Sequence, residues 1–201
     1  MARPPAIEQE PGLWLALNIR SLALNDDQLL QLFRDNPGFR FEVSARGELI
    51  IMSPASPKTG QRNAAITAHL WLWNRQVGAG EAFDSSTMFT LPNGARRSPD
   101  GSWVSKERWN RLSEGEKDSL THMCPDFVIE LRSKSDRLAK LKEKMEEYIA
   151  NGARLAWLLD PIDRCAYLYR PGQAVERIDN PSVISGDPVL PGFRFDFREI
   201  L

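Results

Sequence analysis

Asp100 and Glu130 are the residues of this 201-residue chain whose types and settings most invite chemistry. Asp100 stands in Ser98-Pro99-Asp100, beside a short extended piece. Glu130 stands inside an apolar run, Phe127-Val128-Ile129-Glu130-Leu131. A carboxylate in such a run is often buried, and a buried carboxylate needs a cation, a metal ion or a proton. Two carboxylates from neighbouring strand ends offer hard oxygen ligands to a divalent ion. Mg²⁺ keeps several waters, so few protein ligands suffice. Lys140, Lys142 and Lys144 follow. A lysine reaching the same spot would orient, or help deprotonate, a water acidified by the metal, which would also stabilise charge on a phosphoryl oxygen.

Each residue also has a plainer reading, and taken singly the residues leave it open. Glu130 could project into solvent at a strand end or pair with an arginine. Pro-Asp-Gly is ordinary turn chemistry. The lysines fit a solvated helix face. Lys140 and Lys144, four apart, share one face and border its apolar stripe, from which a long side chain can reach over the core edge. His69 and His122 have no spacing that marks a metal pair and read as structural or surface residues. Trp71 and Trp73 could stack on bases, but Trp71 falls in the apolar face of a helix, which favours core packing or a dimer interface.

The elements that must position these residues are legible in outline. Residues 1–22 read as a lead-in, the first twelve rich in Pro and Glu. Ala23 to Arg34 reads as a short helix capped by Asn25 or Asp26. Residues 39–54 read as a hairpin turning at Ala45-Arg46-Gly47, with Phe39, Phe41 and Val43 alternating with Arg40 and Glu42. Thr59 to Val77 reads as a helix with a wide apolar face, ended by Gly78 and Gly80. Short extended pieces follow at 81–85, 87–91 and 98–104, then a polar, irregular stretch to Thr121 with a helical turn around Trp109. Residues 125–133 form the best strand, with the continuous apolar run of one buried on both faces. Ser135 or Asp136 caps a helix running to about Asn151, with Leu138, Leu141, Met145 and Tyr148 along one face. Ala156 to Leu159 is a further buried strand. Ala166 to Tyr169 pairs with a strand near 173–178 through Pro171-Gly172. The tail closes on the polar-aromatic stretch 192–197. With no repeat or linker, residues 23–201 read as one α/β domain.

Composition narrows the function. The 26 basic and 27 acidic residues leave a net charge of −1, and the pI is near 6.2. A protein that coats nucleic acid by bulk electrostatics is usually far more basic. Several bases gather at 132–144, interleaved with Asp136, Glu143, Glu146 and Glu147, so phosphate attraction falls to one small site. Cys124 and Cys165 have no paired spacing, which speaks against a zinc site or a disulfide framework and fits a reducing cytoplasm. The first residues carry acids and no apolar core, unlike a secretory signal, and no apolar run approaches a membrane span.

The order strand–Pro-Asp, strand–Glu, helix resembles the PD-(D/E)xK nuclease superfamily, and more specifically its Uma-two type of endonucleases. The resemblance is carried by FEVSARGELIIMSP, by GEAFDSSTMFTLPNGARRSPDGSWVS, by PDFVIELRSKSDRLAKLKEKMEEYIANGARLAWLLDP and by the YRPG turn, from about residue 37 to 172. It implies a restriction-endonuclease-like α/β core, a mixed central sheet flanked by helices, with an N-terminal hairpin extension. It also implies a Mg²⁺-dependent (Mn²⁺ as substitute) endonuclease acting on DNA, a cytoplasmic homodimer, with no membrane and no organic cofactor. Asp100 matches the family's first metal-binding aspartate and Glu130 its second acid. Arg132 occupies the usual lysine slot; an arginine is a poor proton acceptor but binds phosphate bidentately. The family then draws its lysine from the next helix, where Lys144 matches and Lys140 is the runner-up. Glu48, in the shared hairpin, is either an extra acid near the metal or an exposed hairpin residue. A histidine common near the start of the family's long helix is replaced here by Gln61-Arg62-Asn63. The rival expectation is a nuclease fold that binds nucleic acid, or assembles, without turnover.

Overall fold

The structure, a computed structural model, describes residues 14–201. The chain runs β1 (Trp14–Asn18), α1 (Asp26–Asp35), β2 (Arg40–Val43), β3 (Glu48–Met52), α2 (Pro57–Val77), β4 (Gly80–Asp84), β5 (Phe89–Thr90), β6 (Arg96–Arg97), β7 (Gly101–Ser105), α3 (Lys106–Trp109), α4 (Glu114–Lys117), β8 (Thr121–His122), β9 (Phe127–Leu131), α5 (Leu138–Ala150), β10 (Leu155–Asp160), β11 (Cys165–Tyr169), β12 (Glu176–Asp179), β13 (Val183–Ser185) and β14 (Arg194–Asp196). Two six-stranded mixed sheets result, ordered β1-β3-β2-β6-β5-β8 and β12-β11-β10-β9-β7-β4, with β13 and β14 forming a separate pair. This is the α/β architecture expected from the sequence. The β2–β3 hairpin is more than an extension, because it lies inside the first of these six-stranded sheets.

The second sheet holds the main core, and its alternation decides where Glu130 points. Along β9, Phe127, Ile129 and Leu131 pack with Ile66, Leu70 and Trp73 of α2. Val128 faces the other way, with Met145 and Tyr148 of α5. Side chains alternate across a strand, so Glu130 shares the α5 face with Val128. The β9–α5–β10 unit is the sheet's parallel crossover, with Glu130 paired in register to Leu158. On the α2 side, Gly101 lets the helix lie close, since a Cβ there would sit 3.0 Å from a methyl of Ile66. Trp157 stacks on Phe193 at 5.6 Å, and Phe195 and Phe197 are also buried, so the aromatic positions of the polar-aromatic tail belong to the core while Arg194 is exposed. α1 covers the first sheet through Leu29 against Phe41, Val43 and Leu49.

Several boundaries differ from the sequence expectation. Within the expected lead-in, Trp14–Asn18 is a strand paired residue by residue with β3; the first thirteen positions lie outside the described residues. Asn25 is the cap of α1, completed by Gln28. α2 starts two residues earlier than expected, with Ser56 accepting from the Thr59 amide and Pro57 in the first turn, where a missing N–H does no harm. Neither Ser135 nor Asp136 caps α5. The helix starts at Leu138, and the Asp136 carboxylate instead accepts from Ser133 N and Oγ at 2.7 and 2.6 Å. The Leu138–Tyr148 stripe does face the core, with Met145 and Tyr148 fully buried. Among the described residues, no helix is long and apolar enough to cross a membrane.

Candidate active site

The chain passes from one sheet to the other through Ser98-Pro99-Asp100, between β6 and β7. That passage sets Asp100 at the mouth of β7. Gly101 pairs with Ile129 antiparallel, so Asp100 comes beside Glu130. Asp100 is 7% exposed, and its carboxylate is firmly oriented. Asn63 Nδ2 donates to Oδ1 at 2.9 Å, and the Leu131 amide donates to Oδ2 at 2.9 Å. The Arg40 guanidinium lies 3.7 Å from Oδ1. The Asn63 side chain thus stands near the start of the long helix where the family's histidine was missing. Its Oδ1 is buried with no protein partner.

Lys144, one turn before Tyr148 on α5, brings its ammonium between two carboxylates. Nζ lies 2.7 Å from Glu130 Oε1 and 2.7 Å from Glu42 Oε1. Tyr148 Oη donates to the same Glu130 oxygen at 3.0 Å. Glu42 comes from β2, in the other sheet. It also accepts from Arg97 Nη1 at 3.0 Å and from the Ser98 amide at 3.1 Å. Arg97 is shared with Glu147, at 2.6 Å. Both sheets and α5 therefore meet at one buried cluster of acids and cations.

The two glutamates are not equivalent. Burial pushes both carboxyls up. For Glu42, Lys144, Arg97 and the Ser98 amide overcome that and hold its carboxyl below the usual range. Glu130 has Lys144 as its counter-charge but faces Asp100 and Glu42. Burial and those like charges leave it pushed up to about 7. Burial alone would favour a neutral Lys144, but the two glutamates more than offset it and keep the ammonium charged. Tyr148 is held well above its ordinary value by burial and the same acids, so it acts as an O–H donor. The site therefore has an ionised acid locked to cations, and a second acid whose charge is under-compensated.

A family model described as "Putative restriction endonuclease", Uma2, matches residues 26–198. The chain belongs to the Uma2 family. No curated protein matches it. Among solved structures, a protein from Anabaena variabilis described as a "putative nuclease belonging to DUF820" shares 19% identity at a TM-score of 0.71, covering 88% of this chain and 97% of that one. At that identity the likeness is one of fold, and it is the nuclease-like α/β fold expected.

In this Uma2 chain the structure gathers three of the sequence-derived candidates: Asp100, Glu130 and Lys144. It places the other three elsewhere. Arg132 Nη1 bonds Asp160 at 2.6 Å and Asp163 at 2.7 Å. Lys140 makes an exposed pair with Glu143 at 2.8 Å. Glu48 sits at the hairpin turn with Ser44 and Arg46. Glu42, Asn63, Arg97 and Tyr148 were not singled out by the sequence reading. His122 pairs with Asp26 at 2.9 Å and His69 lies edge-on to Phe195, so both histidines serve structure.

Proposed function

We propose that this protein is an endonuclease that hydrolyses DNA phosphodiester bonds with the help of Mg²⁺ (or Mn²⁺) held by Asp100 and Glu130, Lys144 orienting the attacking water. The observation that carries this is the convergence of two buried carboxylates on adjacent strands with one buried ammonium. The DNA substrate rests on the family's description.

The residues fit a hard divalent cation. The donors at the spot are oxygens. Glu130 keeps a shortfall of positive charge even with Lys144 beside it. Mg²⁺ keeps most of its waters and takes one or two carboxylates, so Asp100 and Glu130 are enough protein ligands. When bound, such a cation supplies positive charge to the scissile phosphate and acidifies water. The remaining work is the chain's own. Asn63 and the Leu131 amide fix the Asp100 carboxylate. Tyr148 and Lys144 fix the Glu130 carboxylate. Lys144, kept charged by Glu42 and Glu130, offers an N–H donor to the water and later to the developing negative charge. Arg97 holds Glu42, and so the lysine, in place.

Purified protein and supercoiled plasmid test this. Cutting should require Mg²⁺ or Mn²⁺ and should vanish in Glu130→Ala and Asp100→Ala. Metal-dependent cutting that survives Glu130→Ala overturns the assignment. The Lys144 ammonium seated between Glu42 and Glu130 also favours a second reading, a binding protein without turnover. Metal-independent DNA binding with no cutting in the parent would select it.

A further inference from the structure

We propose that the outer face of α2 is a track for one unpaired strand of nucleic acid, running from Asp100 to a base-stacking platform at Trp71. The identity of the polymer rests on the nuclease reading above; the track itself rests on separate observations.

An open groove of about 470 Å³ runs along α2, lined by Gly60, Asn63, Ala64, Thr67, Ala68 and Trp71. It begins at the catalytic cluster, because Asn63 both lines it and orients Asp100. Asn63 is 7% exposed, yet its Oδ1 has no partner. A donor from outside, such as a nucleobase amino group or a sugar hydroxyl, would satisfy it. Gly60, Ala64 and Ala68 carry no bulk, so the floor stays open. Trp71 ends the groove at 50% exposure. The core half of the expectation for Trp71 fails, since Leu70 and Trp73 supply the helix's core contacts; the dimer-interface half is an outcome of the test below. The Arg75 guanidinium lies over one face of the Trp71 ring, 5.4 Å from its centroid, so a base would take the opposite face and meet a cation beside the platform.

Charge supports the choice of occupant. Over its 21 residues α2 contains no Asp or Glu, in a chain with 27 acids. Among the described residues its cations Lys58, Arg62 and Arg75 form no ion pair, whereas three of the bases at 132–144, Arg132, Lys140 and Lys144, are each held by acids. The partial positive charge of the helix N-terminus lies at the same end as Asp100. Three cations without acid partners thus offer phosphate attraction along α2. Asp84 on the facing wall disfavours phosphate in the groove itself; the groove takes base and sugar, and the backbone follows the cations. Stacking on Trp71 needs an exposed base face, which a closed duplex does not offer.

The test uses full-length protein in EDTA and a labelled oligo(dT) of about 20 nucleotides, longer than one site of this kind. Fluorescence anisotropy should show Trp71→Ala binding roughly tenfold or more weakly, with Trp71→Phe within about threefold of the parent. The half-exposed side chain should leave thermal unfolding unchanged. A duplex of equal length should bind more weakly than the single strand. Unchanged oligo(dT) affinity in Trp71→Ala overturns the track. If Trp71→Ala turns a parental dimer into a monomer and leaves oligo(dT) affinity unchanged, the face is an interface between copies and the proposal also falls. Plasmid cutting separates the two readings. Trp71-dependent binding without cutting would retain the track and sink the nuclease, and Glu130-dependent cutting with Trp71-independent binding would do the reverse.

Discussion

Replacing Glu130 by glutamine should stabilise the metal-free protein while abolishing metal-dependent cutting. Glu130 is 4% exposed. Burial, then Asp100 and Glu42, raise its carboxyl from 4.5 to about 7 against the pull of Lys144. An acid whose pKa is higher in the folded chain binds its proton more tightly there. Stability is therefore fully present below the unfolded value and falls as pH rises toward the folded one. With those two values, the loss is about 1 kcal/mol at about pH 5 and about 3 kcal/mol at about pH 8. Glutamine carries no charge, and its Oε1 can accept the same two bonds from Lys144 and Tyr148. The variant should thus exceed the parent by about 2–3 kcal/mol near pH 8 and by about 1 kcal/mol or less near pH 5. Urea unfolding in EDTA at both pH values measures this. Mg²⁺ at about 100 times its Kd should then stabilise the parent by about 2.7 kcal/mol and leave Glu130→Gln almost unmoved. A variant equal to or weaker than the parent near pH 8, or a difference that ignores pH, would refute the reasoning.

Other outcomes follow from the same geometry. Lys144→Ala should abolish cutting and lower stability by about 3 kcal/mol near pH 8, because it leaves two buried glutamates facing each other. Denaturation should show a smaller loss near pH 5, where Glu130 takes up a proton. Lys140→Ala, which removes only an exposed pair, should alter stability by less than about 0.5 kcal/mol and leave cutting unchanged. Glu42→Ala should cost about 3 kcal/mol, since Arg97 and Lys144 each lose a buried counter-charge; a loss under about 0.5 kcal/mol in the same unfolding assay would contradict the cluster. The Cys124 thiol, pushed up to about 12 by burial, should resist iodoacetamide in the native protein near pH 8 and react fully in urea.

The legible part of the site was its local part. An acid inside Phe127–Leu131 was visible because a continuous apolar run marks a strand covered on both faces. Lys144 was placed by the family resemblance; spacing alone left Lys140 and Lys144 together on one helix face. Glu42 escaped for a specific reason. Its alternation with Phe41 and Val43 reads as the polar face of a hairpin, but β2 lies between β3 and β6, and Phe41, Glu42 and Val43 are all buried. Period-2 reasoning fails for a strand covered on both sides. Its partners Arg97 and Lys144 are 55 and 102 residues away, beyond any local pattern. The Arg96-Arg97 pair just before Ser98-Pro99-Asp100 was the available hint of a buried acid nearby. Asn63 was hidden similarly, since an asparagine in a helix reads as exposed until the strand end it meets is known. The start of α5 was misjudged because the side chain of Asp136 turned back to Ser133, a local bond that competes with capping.

The central claim is that Asp100 and Glu130 hold a divalent cation within reach of Lys144. Crystals grown with Mn²⁺ and measured for its anomalous scattering test it most directly. The account predicts an anomalous peak bonded to one or both of Asp100 and Glu130, with Lys144 Nζ within hydrogen-bond reach of a bound water. Full Mn²⁺ occupancy elsewhere on the chain, with none at this pair, would contradict it.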